Sequence, residues 1–132
     1  MSNSSGVKGK ILSVEDEPSI RQVCQRALAS QGYQVDFAVN GVAAESMLMK
    51  GDYDLLLVDI KTPVMDGKQL YRYIKKRYPE LAGRVIFTTG DVAGDDTQSF
   101  LEREGRPFLL KPFSPDELRA MVRESLRRLQ TV

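Results

Sequence analysis

Asp54-Leu55-Leu56-Leu57-Val58-Asp59 is an aliphatic run closed at both ends by a carboxylate. Neither face of such a run offers a polar residue to water, so it reads as a strand buried on both faces, as in a parallel sheet. Three further runs are built the same way. Lys10-Ile11-Leu12-Ser13-Val14 runs into Glu15-Asp16, Arg84-Val85-Ile86-Phe87-Thr88 into Thr89, and Pro107-Phe108-Leu109-Leu110 into Lys111-Pro112. In an open parallel sheet, ligands bind beyond the carboxyl ends of the strands. The spacing therefore brings Glu15, Asp16, Asp59, Thr89 and Lys111 to one edge.

Helical patterns fill the gaps. Residues 18–31 carry Ile20, Val23, Cys24, Ala27 and Leu28 on one face, with Pro18 in the first turn and Gly32 as the stop. Residues 34–39 alternate as a strand nearer the sheet edge. Helices are expected over 42–50 (closed by Gly51), 67–78 (stopped by Pro79), 95–104 (closed by Gly105) and 115–129, the last with Ser114 as N-cap and Leu118, Met121, Val122, Leu126 and Leu129 in one stripe. Five strands alternating with five helices predict an α/β doubly wound parallel sheet.

The bulk numbers fit one domain. The chain has 132 residues, 42% of them hydrophobic and 28% charged, with net charge +1. That charge offers no global field for nucleic acid, and no run approaches the ~20 apolar residues of a membrane span, so neither is an expected partner. Residues 1–9 read as a disordered leader or linker, 10–129 as the folded unit and 130–132 as a tail. The single cysteine, Cys24, excludes an internal disulfide and suits a reducing, cytoplasmic setting. The chain has no histidine, which removes a histidine-based triad, a histidine-ligated metal and a phosphohistidine on this chain.

An acid cluster with one ammonium and one hydroxyl suits a hard divalent cation plus a phosphoryl group. Crowded carboxylates repel, and Mg²⁺ (or Mn²⁺) relieves that repulsion while leaving coordination places for water and phosphate oxygens. Asp59 is the candidate nucleophile, since a carboxylate can attack phosphorus to give an aspartyl phosphate. The transition state spreads charge over three equatorial oxygens, which the cation, Lys111, Thr89 and backbone N–H groups would share. A cis bond before Pro112 would aim the loop that carries Lys111.

The four blocks Ile11-Leu12-Ser13-Val14-Glu15-Asp16-Glu17-Pro18, Leu57-Val58-Asp59-Ile60-Lys61-Thr62-Pro63-Val64-Met65-Asp66-Gly67, Val85-Ile86-Phe87-Thr88-Thr89-Gly90 and Phe108-Leu109-Leu110-Lys111-Pro112-Phe113 resemble, in order and spacing, the receiver domain of the response regulators of two-component signalling. The resemblance implies a flavodoxin-like sheet of strand order 2-1-3-4-5. It implies Asp59 as phosphoacceptor, Glu15 and Asp16 as metal-binding acids with Asp59, a metal contact from the Lys61 backbone carbonyl, and Thr89 and Lys111 on the phosphoryl group. It also implies a phosphorelay function in which a histidine kinase or histidine phosphotransfer domain donates the phosphoryl group. The domain then catalyses its own phosphorylation and dephosphorylation without being a conventional enzyme.

Three positions are variable or depart from the common pattern. The first acid is Glu15, where many relatives carry Asp. The switch aromatic is Phe108, where several receivers carry Tyr. It either moves inward when Thr89 engages phosphate or is a fixed core aromatic. Lys61 and Asp91 lie where the family tunes phosphoryl lifetime, and their opposite charges would pair across the opening. Ile20 is either an exposed anchor for the donor or core. The basic fifth helical segment, with Arg119, Arg123, Arg127 and Arg128, is either a docking face or a solvated one. Output partner and phosphorylation-dependent homodimerisation stay open. So does the choice between a stand-alone chain and part of a hybrid histidine kinase, which the Phe108–Phe113 block and Thr89-Gly90 resemble. A haloacid dehalogenase phosphatase is disfavoured, because Lys61 stands where that family needs a second Asp. The remaining alternative is a pseudo-receiver that binds partners without phosphorylation.

Overall fold

The computed structural model describes residues 9–91 and 96–130. Five strands, β1 (Gly9–Val14), β2 (Tyr33–Ala38), β3 (Leu55–Asp59), β4 (Val85–Thr89) and β5 (Phe108–Leu110), form one sheet of order β2-β1-β3-β4-β5. All four pairings are parallel. The helices are α1 (Pro18–Ala29), α2 (Gly41–Lys50), α3 (Gly67–Arg77), α4 (Pro79–Ala82), α5 (Thr97–Glu104) and α6 (Pro115–Gln130).

The twofold alternation of the strands divides the core into two layers. Leu12, Val14, Leu56, Val58, Val85 and Phe87 face one way and meet Ala44 and Leu48 of α2, Leu70 and Ile74 of α3, and Phe100 and Leu101 of α5. Ile11, Leu55, Leu57, Ile86 and Leu109 face the other way, against Cys24, Ala27 and Leu28 of α1 and Leu118 and Val122 of α6. Phe87, Tyr71 and Phe100 form an edge-to-face triangle, with centroids 5.3, 6.0 and 5.3 Å apart, that ties α3 and α5 to β4.

The differences from expectation are local. Pro79 stops α3 as foreseen, but it also stands at the first turn of the short α4, giving six helices among the described residues rather than five. A proline suits that position because its missing N–H would be unpaired there anyway. The second strand sits one residue earlier than expected, leaving Val39 outside it and half exposed. Gly9, assigned to the leader, opens β1, and residues 1–8 lie outside the described residues. The expected start of the 95–104 helix also falls outside them at Asp95, as does the end of the tail at 131–132. The Pro107–Leu110 run is buried on one face only, since β5 is the sheet edge and Phe108 and Leu110 face outward.

The termini of the helices follow their sequence. Asn40 accepts a hydrogen bond from the Ala43 N–H at 2.9 Å, and Asp66 with Gln69 forms a reciprocal capping box on α3. Ser114 and Glu117 do the same for α6, at 3.0 and 2.7 Å. Gly67 opens α3 directly beneath β3. A Cβ there would lie 2.6 Å from the Asp59 carbonyl oxygen and 2.8 Å from Ile60 Cα, so the chain needs glycine to turn this closely.

Candidate functional site

The carboxyl edge of the sheet is set by register. Val14 pairs with Val58, so the residues that follow, Glu15-Asp16 and Asp59, leave the sheet side by side. Thr89 pairs with Leu110, which places Lys111 next to it, and the Lys111 N–H donates to the Thr89 carbonyl at 2.8 Å. The Lys111–Pro112 peptide bond is cis.

Glu15, Asp16 and Asp59 each offer a carboxylate oxygen, and these atoms lie within 4.8 Å of one another. Glu15 is 2% and Asp59 5% exposed, whereas Asp16 opens to solvent. The Lys111 ammonium binds across them, 2.9 Å from Glu15 Oε1 and 3.0 Å from Asp59 Oδ2. Burial pushes the Glu15 carboxyl above the usual carboxylate range, Lys111 pulls it back, and Asp59 adds like-charge repulsion. Burial pushes Asp59 up in the same way, and the Lys111 hydrogen bond opposes it. Desolvation would lower the Lys111 ammonium, but its hydrogen bonds to Glu15 and Asp59 outweigh that and hold it above its ordinary value.

An all-oxygen donor set with one acid open to water has the chemistry of a magnesium site, since that ion takes one or two carboxylates and keeps several waters. No histidine or cysteine competes, and Cys24 is buried with its thiol pushed up to about 12 by burial, so it is no nucleophile.

Thr89 stands at the same edge but is fully buried. Its hydroxyl donates to the Asp91 carbonyl and accepts from the Asp91 N–H, both at 3.2 Å. Thus the loop after β4, and not the acid cluster, holds this hydroxyl in the resting arrangement. Phe108 is 39% exposed, which corrects the core alternative. It is an outward side chain on the edge strand. Ile20 is half buried against the α1–α6 layer. The side chains of Lys61 and Asp91 are exposed beyond the ends of β3 and β4.

The structure adds three groups that the sequence reading passed over. The Lys61 N–H donates to Asp59 Oδ1 at 3.2 Å, which fixes the second oxygen of that carboxylate. Arg21, one turn into α1, donates to the Glu15 and Asp16 carbonyls at 3.2 and 3.3 Å and so braces the acid loop. Glu17 reaches Lys111 at 3.4 Å. The run Glu15-Asp16-Glu17 was the available signal for Glu17. Nothing in the spacing showed which way its side chain turns.

Residues 11–123 match the model of the response regulator receiver domain. The chain belongs to that family. Among its relatives is the transcriptional regulatory protein PcoR of Escherichia coli, 35% identical over 122 residues, which covers 92% of this chain and 53% of PcoR. The chain thus spans about half the length of that relative. The signal receiver domain of a signal transduction histidine kinase from Syntrophus aciditrophicus has the same fold, with TM-score 0.83 and 29% identity over 94% of each chain. The response regulator TrrA of Thermotoga maritima, solved in complex with Mg²⁺ and a beryllofluoride, superposes with TM-score 0.75 at 29% identity, covering 88% of this receiver and 97% of TrrA. Among the described residues of the receiver, no helix is long and apolar enough to cross a membrane.

Proposed function

We propose that Asp59 is the phosphoacceptor of this receiver, taking its phosphoryl group from phosphohistidine on a histidine kinase or phosphotransfer domain. The observation that carries this reading is the Lys111 ammonium bound between buried Glu15 and Asp59, with Asp16 beside them. An Asp59 oxygen forms the new bond to phosphorus as the bond from phosphorus to the donor atom breaks, and that atom leaves with the electron pair. Asp59 Oδ1 is already oriented by the Lys61 N–H, which fixes the line of attack. Lys111 is positioned to take charge from the phosphoryl oxygens, and Thr89 can follow once it leaves Asp91.

Glu15, Asp16, Asp59 and the Lys61 carbonyl would hold Mg²⁺, which when bound supplies charge neutralisation at the phosphoryl oxygens. The full set of side chains supports phosphorylation over a phosphorylation-independent role. Lys61 and Asp91, at the mouth of the site, would set how readily water reaches the acyl phosphate. The receiver unit runs over about residues 10–129, and its lone buried thiol fits a cytoplasmic, reducing setting. Relatives include a transcriptional regulator and a histidine kinase's receiver, so either kind of parent protein fits.

The test is incubation with Mg²⁺ and acetyl phosphate, read by intact mass. A phosphate-sized gain that needs Mg²⁺, is lost in Asp59→Asn and is reversed by hydroxylamine is the expected result. A gain that survives Asp59→Asn would move the acceptor elsewhere. No gain, together with no beryllofluoride complex, would remove phosphotransfer.

A further inference from the structure

Glu17 is the N-cap residue of α1, yet its side chain makes no capping hydrogen bond. The free N–H groups at a helix start and the helix dipole favour an acid that turns back toward them. Here it turns outward to Lys111, with Oε1 3.4 Å from the ammonium. The backbone that aims it is fixed from three sides. The Glu17 N–H donates to Glu15 Oε2 at 3.1 Å, the Glu17 carbonyl accepts from the Arg21 N–H at 3.0 Å, and Pro18 follows in the first turn.

An ammonium has three N–H donors. In this arrangement Lys111 has three carboxylate partners: Glu15 through both oxygens at 2.9 and 3.2 Å, Asp59 at 3.0 Å and Glu17 at 3.4 Å. Its three donors are already shared among four carboxylate oxygens, so a phosphoryl oxygen arriving at Asp59 must displace one of these contacts. Glu15 and Asp59 are buried and cannot turn to water. The Glu17 side chain is 59% exposed and makes the longest of the three contacts.

We propose that Glu17 is a positioning residue that acts through Lys111: it occupies the ammonium donor that the incoming phosphoryl group needs, and thereby slows acceptance of that group. This rests on the receiver reading of Asp59 and Lys111. Once Asp59 carries the phosphoryl group, Lys111 has already exchanged Glu17 for a phosphoryl oxygen, so Glu17 leaves hydrolysis untouched.

Two variants separate the contact from the charge. Glu17→Ala removes both. Glu17→Asp keeps the charge but is one methylene shorter, and at an N-cap it has the reach to bond the helix N–H groups instead. Phosphorylation by acetyl phosphate with Mg²⁺ is followed by intact mass, and loss of the phosphoryl group is followed after the donor is removed. Both variants are expected to accept the phosphoryl group about two- to fivefold faster, the scale of an exposed ion pair, with the hydrolysis rate unchanged. In the metal-free protein the Lys111 ammonium resonance should shift in both variants by nitrogen NMR.

If Glu17→Ala is no faster than the parent, the proposal is overturned. If Glu17→Asp keeps the parent rate while Glu17→Ala is fast, Glu17 acts as a bare charge on the anionic donor and positioning through Lys111 is wrong. An equal rise in hydrolysis also overturns it. Failure of the parent protein itself to gain an Mg²⁺-dependent, Asp59-dependent mass is a different outcome, since it removes the receiver reading first and this inference with it.

Discussion

Lys111 is the counter-charge for a group of acids that burial has raised. Replacing it with methionine would leave Glu15 and Asp59 buried without a cation. Breaking a buried pair from one side costs roughly 3–5 kcal/mol, because the remaining charge stays desolvated. Lys111→Met should therefore lower the stability of the metal-free protein by about 3 kcal/mol in urea unfolding. Mg²⁺ should restore part of it, since the ion takes over the neutralising role. Asp59→Asn should do far less harm, because Lys111 keeps Glu15. Equal losses in the two variants would mean that the ammonium does not anchor the cluster. At this scale the residue types were legible in the sequence, since each acid and the lysine follow an apolar run. The direction of each side chain was not. Glu17 is placed by a contact with a distant segment, and Arg21 and the Thr89 hydroxyl by bonds to backbone groups two to six residues away, none of which the apolar pattern encodes.

The β3–α3 turn shows what an element contributes. Asp59 ends the strand, and Gly67 brings α3 back so closely that its N–H donates to the Ile60 carbonyl at 2.8 Å. A methyl group at Gly67 would strike backbone rather than a movable side chain. Gly67→Ala should cost about 1–3 kcal/mol of stability, the scale of overpacking in a tight core, and should slow phosphorylation by displacing Asp59. A variant of unchanged stability and rate would show that the turn relaxes freely. The strands were legible because β1, β3 and β4 are buried almost throughout, so their composition is unmixed. The half-exposure of β5 was not, because Phe108-Leu109-Leu110 looks the same in sequence whether a neighbour covers it or not. Its place at the edge is a property of the strand order. The helix α4 was missed because a proline that ends one helix also suits the first turn of the next.

For the whole molecule, the acid edge would link metal binding to folding. A ligand that binds only the folded chain stabilises it by about 2.7 kcal/mol at a hundredfold excess over its dissociation constant. For a domain of this size that is a rise in Tm of roughly 10 °C. Mg²⁺ should give such a rise in a thermal melt, and Asp16→Asn should abolish most of it while leaving the metal-free Tm nearly unchanged, since Asp16 is exposed and outside the Lys111 contacts. A rise of equal size in Asp16→Asn would place the ion elsewhere. The Thr89 hydroxyl gives the domain its remaining property. It owns a single hydrogen, now committed to the Asp91 carbonyl. That hydrogen cannot point at the loop and at a phosphoryl oxygen together, so no intermediate setting of it satisfies both. Each copy of the protein would hold one of two mutually exclusive states, and any graded reply to a stimulus would have to come from the head count of copies in each.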